Sequence, residues 1–490
     1  MDLILALDAG TSGVRAVAFD PQLRVVDEAY RELTQYFPSP GEVEHDPVEI
    51  AALAVATLRE VAARQRDAGQ HVVALGLTNQ RETTVGFDRE RGTLFQRAIV
   101  WQDRRTAGLC HELEAQGHGQ LVRDTTGLVL DAYFSATKMQ WMLERGLADG
   151  ARSASFATID TWLLWFLTGG VEGGVFLTEP SNASRTMVMD LATLDWSPVM
   201  MDLFGVAPEM LAQIQPSAST FGHVNADVVP ELAGVAITGV LGDQQSALFG
   251  QACFEPGLVK ATYGTGAFLL ANAGDTVPRV VDGLLTSVAW DLGAFGSATY
   301  ALEGSAFVAG AAVQWLRDLG FIEASSELES LARSVSDSAG VQFVPAFSGL
   351  GSPFWNPEAR GAITGLSRGV GKGQIARALI EALAYQVRAM TDAFSDGGLE
   401  LKELRADGGA AAMDLLLQLQ ATNSRVDVLR CATLEATARG AASIAGLASG
   451  QWRSLGELGD LWSYGQRFRP EDPQLVDLGY RTWLNALERA

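Results

Sequence analysis

LILALDAGTSGVRAVAFD, residues 3–20, is two apolar runs joined by a turn of small residues, and it reads as a β-hairpin. The pattern returns at LVKATYGTGAFLLANAG, residues 258–274: strand, Gly/Thr turn, strand. A second pair also matches. VAITGVLGDQQSALFGQ (235–251) and ELRADGGAAAMDLLLQLQ (403–420) each read as a strand feeding a helix through glycine. The chain therefore reads as two similar α/β halves. The boundary falls near Gln251 to Gly257, where Pro256-Gly257 breaks the pattern, giving units of residues 1–252 and 253–490. Two such halves facing each other make a cleft, a usual place for a ligand.

Working outward, Asp46-Pro47-Val48-Glu49 opens a helix. Asp46 suits the N-cap, Pro47 the first helical position, and Glu49 the acidic place three residues after the cap. Ile50, Leu53, Leu58 and Val61 form its buried stripe, and Gly69 stops it. Residues 71–101 read as three strands with a turn at Asp88 to Gly92. Ile375, Leu379, Leu383, Val387, Met390 and Phe394 mark a long amphipathic helix that ends at Gly397-Gly398.

Chemistry concentrates where strands end. HVVALGLT (71–78) is a buried strand, and Asn79, Gln80, Arg81 and Glu82 follow at its carboxyl end. In open α/β sheets that end faces the ligand crevice. Donors on Arg81 beside acceptors on Glu82 suit a small neutral polyhydroxyl ligand; a solvated loop with a local ion pair is the alternative. Gly10-Thr11-Ser12-Gly13 and Gly264-Thr265-Gly266 can aim successive backbone N–H groups at one spot, as phosphate-binding nests do. Each alone is also an ordinary tight hairpin; two in matching places favour the phosphate reading. Asp8, just before the first turn, is placed as a Mg²⁺ partner, and Arg15 just beyond can reach a terminal phosphate. Asp243, at a strand-to-helix junction, is a candidate proton acceptor for phosphoryl transfer, or the N-cap of the helix beginning at Gln244. Trp101, Tyr133 and Phe268 are either core or the wall against which the C–H face of a polyol packs.

Composition narrows the classes. The net charge of −22 argues against nucleic-acid binding. MDLILALDAG has no basic start and too short an apolar run for a signal peptide, and no stretch approaches the roughly 20 apolar residues of a membrane span. A soluble cytoplasmic protein without membrane insertion is expected. Cys110, Cys253 and Cys431 suggest neither a disulfide framework nor a zinc site. Gly371-Lys372-Gly373 lacks the rest of a P-loop, and neither a dinucleotide-binding G-x-G-x-x-G after a strand nor a G-x-S-x-G elbow occurs.

YFSATKMQWMLE (133–144) and GAITGLSRGVGKGQIARALIEA (361–382) resemble the two signatures of the FGGY carbohydrate kinases, over a likeness running from Asp8 to about Gly450. NQRETT (79–84), IVWQDRR (99–105), NASRT (182–186), GDQQSALFGQ (242–251), YGTG (263–266) and ALEGSAF (301–307) resemble its glycerol-phosphorylating members more than the pentulose kinases. The resemblance implies a two-domain α/β protein of the actin-like, ribonuclease-H-like ATPase fold with a central cleft. The first domain would carry the polyol and phosphate side, and the second the nucleotide side. Arg81, Glu82, Tyr133, Asp243 and Gln244 would hydrogen-bond glycerol, between Trp101 and Phe268, with Asp243 as general base. Asp8 would hold Mg²⁺, mostly through water. Thr11, Ser12, Arg15, Thr265 and Gly266 would handle the phosphates of ATP, and Gly310, Gln314, Gly409 and Ala410 would border its adenosine. A homo-oligomer, dimer or tetramer, is implied as well. Three departures stand out. The first turn reads GTSGVR where such kinases usually read GTTSSR. Met413 and Asp414 stand where an asparagine usually lies near the adenine. Glu231 to Val235 lacks the arginine of the loop that binds the inhibitor fructose 1,6-bisphosphate in many bacterial relatives.

Overall fold

The computed structural model describes residues 1–432 and 435–490. The opening hairpin forms: β1 (Asp2–Ala9) and β2 (Gly13–Phe19) pair antiparallel with Asp8 opposite Arg15. With β3 (Val25–Glu32), β4 (His71–Asn79), β5 (Ala218–His223) and β6 (Ala236–Gly242) they make a six-stranded sheet of order β5-β6-β4-β1-β2-β3. β4 runs parallel to both β1 and β6. The second sheet has seven strands: β7 (Leu258–Tyr263), β8 (Ala267–Gly274), β9 (Leu285–Asp291), β10 (Ala298–Ala306), β11 (Glu403–Asp407), β12 (Asp427–Cys431) and β13 (Tyr464–Phe468), in the order β9-β10-β8-β7-β11-β12-β13. The helices used below are α1 (Pro47–Asp67), α2 (Ala136–Glu144), α3 (Asp243–Gly250), α4 (Gly310–Asp318), α5 (Lys372–Asp396), α6 (Asp414–Ser424) and α7 (Ala436–Ser449).

The internal repeat is one of topology. β11 lies parallel to β7 as β4 lies parallel to β1, and β12 flanks β11 as β6 flanks β4. This corrects one pairing drawn from the sequence. Residues 403–420 occupy the place of β4, while the counterpart of 235–251 is β12 with α7. Any parallel crossover reads as strand, glycine, helix, so that pattern carries no sheet position.

Two local expectations also change. The third strand of 71–101 is split into Thr93–Leu94 and Ala98–Ile99, because the chain changes partner there: the first pairs with Val85–Asp88 and the second with Glu44–His45. Asp46 caps α1 as expected, accepting from the Val48 N–H at 2.9 Å. Glu49 instead accepts from the backbone N–H and hydroxyl of Thr34, at 3.1 and 2.7 Å, and ties α1 to the segment after β3.

α1 covers one face of β2 and β3, and α7 the opposite face of β1, β4 and β6; α5 lies on β8 and β10 of the second sheet. α3 leaves the first sheet yet buries Leu248 and Phe249 against Leu258 and Leu270 of the second. α3 and α7 thus share the seam between the lobes. Their backbones touch: a Cβ on Gly440 would overlap the Ser246 carbonyl, and one on Gly250 the Ala436 carbonyl. Larger side chains there would push the lobes apart. Among the described residues no helix is long and apolar enough to cross a membrane.

Candidate active site

Parallel pairing brings three strand ends to one edge. Asp8 is level with Thr78, and Asn79 with Gly242, so Asp8, the Gln80–Glu82 turn and Asp243 emerge together. Residues 78–84 are all buried, so this is not a solvated loop. Nor do all four polar residues after Thr78 face a ligand. The Asn79 amide donates to Asn182 Oδ1 at 2.9 Å, and Gln80 Nε2 donates to the Gly10 carbonyl at 3.0 Å. These two fasten the turn to its neighbours, which leaves Arg81 and Glu82. Glu82 sits at φ +60°, a left-handed conformation unusual outside glycine.

Arg81 is the hub. Its Nη1 donates to both oxygens of Glu303 and to Gln245 Oε1, each at 3.0 Å. Its Nε lies 3.5 Å from Asp243 Oδ1 and 3.7 Å from Glu82 Oε1. Arg185 braces the same carboxylates, with Nε 2.5 Å from Glu82 and Nη1 3.3 Å from Glu303. Glu303 stands on β10 of the second sheet, so the cluster joins the lobes. Burial raises the Glu303 pKa, but Arg185 and Arg81 more than offset it and hold the carboxyl below the ordinary carboxylate range. For Asp243 burial wins over the pull of Arg81 and Lys260, and its pKa is raised. Burial likewise lifts Asp8 to about 6, against Arg15 and with help from the Asp243 charge.

Asp243 is the first residue of α3, not its N-cap. The cap is Gly242, which offers no side chain, and Asp243 Oδ1 accepts only the next N–H, from Gln244, at 2.7 Å. The carboxylate is left partly open, with a side-chain exposure of 28%.

Near Arg81, Trp101 and Tyr133 pack edge to face at 5.4 Å, and the Arg185 guanidinium lies 5.2 Å from the Tyr133 ring centre. The Trp101 indole donates to Thr11 Oγ1 at 3.0 Å. Lys138, fully buried on α2, donates to the carbonyls of Ala132, Tyr133 and Phe134 at 2.7, 2.7 and 2.9 Å, shaping the loop that presents Tyr133. Phe268, half-buried on β8, stands across from Thr262 and Ser305 on the second lobe.

The two small-residue turns differ. In the first, the Gly10 N–H donates to the Gly13 carbonyl at 3.0 Å, and Ser12 is exposed. Glycine at 13 is required by packing, since a Cβ there would overlap the Tyr30 ring. Arg15 pairs with Asp8 at 3.5 Å and with Glu435 at 2.5 Å. In the second, the carbonyls of Gly264 and Thr265 accept from Gly310, Ala309 and Ala311, which docks the start of α4. Gly408 lies against Tyr263, where a Cβ would come within 2.5 Å of its carbonyl oxygen. Thr265, Gly266, Gly310, Gly409 and Ala410 are thereby gathered around the end of β7. The Gln314 amide is turned along its own helix to Asp318 Oδ1 at 2.6 Å, and Asp414 is paired with Arg430 at 2.5 Å.

Five residues of this site carry no role in the sequence reading: Lys138, Arg185, Gln245, Lys260 and Glu303. Arg185 and Glu303 lie inside NASRT and ALEGSAF, and a charged residue amid small and apolar ones was the available signal. Among the described residues no group of three or more His, Cys, Asp or Glu is placed to hold a metal. The Asp243 charge does raise the proton affinity of Asp8. One or two such carboxylates, with phosphate oxygens and water completing the shell, suit Mg²⁺.

Known proteins match the chain over nearly its whole length. The N-terminal domain model of the FGGY family of carbohydrate kinases matches residues 3–250, and the C-terminal domain model matches residues 259–449. A glycerol kinase of Carboxydothermus hydrogenoformans is 47% identical over 496 residues, covering 99% of this chain and 98% of that protein. One of Acidovorax ebreus is 49% identical over 485 residues, covering 97% and 96%. The crystal structure of Plasmodium falciparum glycerol kinase with ADP superposes with a TM-score of 0.94 at 34% identity, covering 100% of this chain and 98% of that one. The chain belongs to the FGGY family of carbohydrate kinases.

Proposed function

We propose that this chain transfers the terminal phosphoryl group of ATP to glycerol, giving glycerol 3-phosphate. The observation that carries the reading is Arg81 held 3.5 Å from Asp243 at the lip of the interlobe gap, beside the Trp101–Tyr133 wall. Such a place holds a short alcohol by its hydroxyls and its C–H face together. Residues 1–252 carry the polyol and phosphate side, and 253–490 the nucleotide side. Arg81, Glu82, Tyr133, Gln244 and Asp243 orient glycerol between Trp101 and Phe268. Asp243 accepts the proton of the attacking hydroxyl. Backbone N–H groups and hydroxyls at Thr11, Ser12, Thr265 and Gly266, with Arg15, receive the phosphates, and Gly310, Gln314, Gly409 and Ala410 border the adenosine. Mg²⁺, when bound beside Asp8, supplies charge neutralisation for the phosphates. Closure of the lobes keeps water from the transferred group. Assembly as a dimer or tetramer in the cytoplasm belongs to the same reading, and light scattering tests the assembly.

The test is ADP release with ATP and Mg²⁺ against glycerol, erythritol, xylulose, ribulose and gluconate. Release that depends on glycerol is expected. Release driven by another polyol or ketose instead would move the substrate within the family, and release indifferent to every acceptor would sink the kinase reading.

Regulation gives a second expectation. Glu231 stands in the turn Pro230–Leu232, where its carboxylate takes up Arg59 at 3.1 Å. A doubly phosphorylated sugar would meet there an arginine whose charge is already taken up by an acid. Titration with fructose 1,6-bisphosphate is expected to leave activity unchanged, and tight inhibition would contradict this.

A further inference from the structure

We propose that Lys260 is the positioning residue that fixes the Gln244 amide, so that Gln244 presents a donor, and only a donor, to the acceptor alcohol. Lys260 lies on β7, level with Leu270 of β8, and Leu270 is in turn level with Glu303 of β10; all three look toward the seam between the lobes. It is fully buried, and Nζ sits 2.5 Å from Gln244 Oε1. Gln244 follows Asp243 on α3, so the contact runs from the second sheet to the acceptor side of the cleft.

The orientation follows from what each group can do. An ammonium only donates, whereas an amide has one accepting and one donating end. The oxygen of Gln244 must therefore face Lys260, which directs the NH₂ away from it. Among the described residues Lys260 has no carboxylate at ion-pair distance. Burial disfavours its charged form; Asp407 and Asp243 favour it from longer range, with Arg81 opposing and Glu303 assisting. A buried ammonium whose contact partner is a neutral amide is costly. Packing alone does not account for it, because leucine or methionine would fill a strand position facing Leu270 at no such cost. The position makes sense if the charge polarises the amide and locks its direction.

The inference rests on Gln244 as a glycerol ligand, and a double-mutant cycle separates the two ideas. Glycerol KM and kcat are measured for the wild type, Gln244→Ala, Lys260→Met and the double variant, with thermal unfolding of each. Both single variants are expected to raise glycerol KM on the order of 10-fold with kcat changed less, and the double variant to be no worse than Gln244→Ala alone. Lys260→Arg, which keeps a donor, is expected to recover part of the loss and guards against Lys260→Met failing to fold. If Gln244→Ala leaves KM unchanged, the ligand reading of Gln244 fails. If Gln244→Ala raises KM but Lys260→Met does not, or the two effects multiply independently, the positioning role is overturned. A fall in kcat at constant KM for Lys260→Met also overturns it, by placing the ammonium on the reacting phosphoryl group.

Discussion

Replacing Asp243 with asparagine is expected to lower kcat at least ~10²-fold, the lower range for loss of a positioned base, while glycerol affinity stays within a few-fold. The exchange is nearly isosteric. An asparagine oxygen can still accept from the Gln244 N–H, which Asp243 Oδ1 meets at 2.7 Å, and α3 is not capped by this side chain. What disappears is the ability to take a proton. Burial has already raised the carboxyl's proton affinity, partly countered by Arg81 and Lys260, and a base works best when its pKa nears the working pH. The sign follows: a base with a raised pKa is silenced at a higher pH than an ordinary carboxylate. The acid limb of the wild-type kcat profile is therefore expected above the usual carboxylate range and is expected to vanish in the variant. Coupled ADP release gives the turnover and calorimetry gives the glycerol affinity. Turnover within tenfold of wild type would remove Asp243 from proton transfer.

What was legible in the sequence was local. The hairpin at 3–20, its echo at 258–274, the Asp46 cap and the Gly397-Gly398 stop each depend on neighbours a few residues apart, and each formed. The misplacement of 403–420 arose because order in a sheet is decided by partners far away in the chain. Asn79 and Gln80 looked free because Asn182 and Gly10, which hold them, are invisible from a single segment. The same limit hid the partners of Arg81: Glu303 follows it by 222 residues, on a strand of the other lobe. Lys260 sat within an otherwise apolar strand and gave no hint of its contact with Gln244. Sequence singled out Arg81, Glu82 and Asp243, which the fold brings together, but the charges that set their protonation came from segments that carried no role in it.

Those distant charges decide the other large effect, at Arg81. Its side chain is 3% exposed and faces three carboxylates, Glu82, Asp243 and Glu303. Arg81→Met would leave Glu303 with Arg185 as its cation beside the Ser287 hydroxyl, and the Gln245 oxygen without its donor. Removing one partner of a buried pair costs about 3–5 kcal/mol, and that loss is expected in urea unfolding. Glycerol recognition should fall as well, by roughly 10–10²-fold in kcat/KM, the 1.5–3 kcal/mol of a charged hydrogen bond. Stability and recognition separate in Arg81→Lys. Lysine restores the positive charge, so most of the unfolding free energy should return. It lacks the planar fork that lets one side chain hold Glu303 and Gln245 on Nη1 while Nε lies toward Asp243. The glycerol KM of Arg81→Lys should accordingly stay high in a protein that unfolds almost normally. A lysine variant with wild-type KM would show that charge alone suffices, and the forked geometry would then lose its place in glycerol binding.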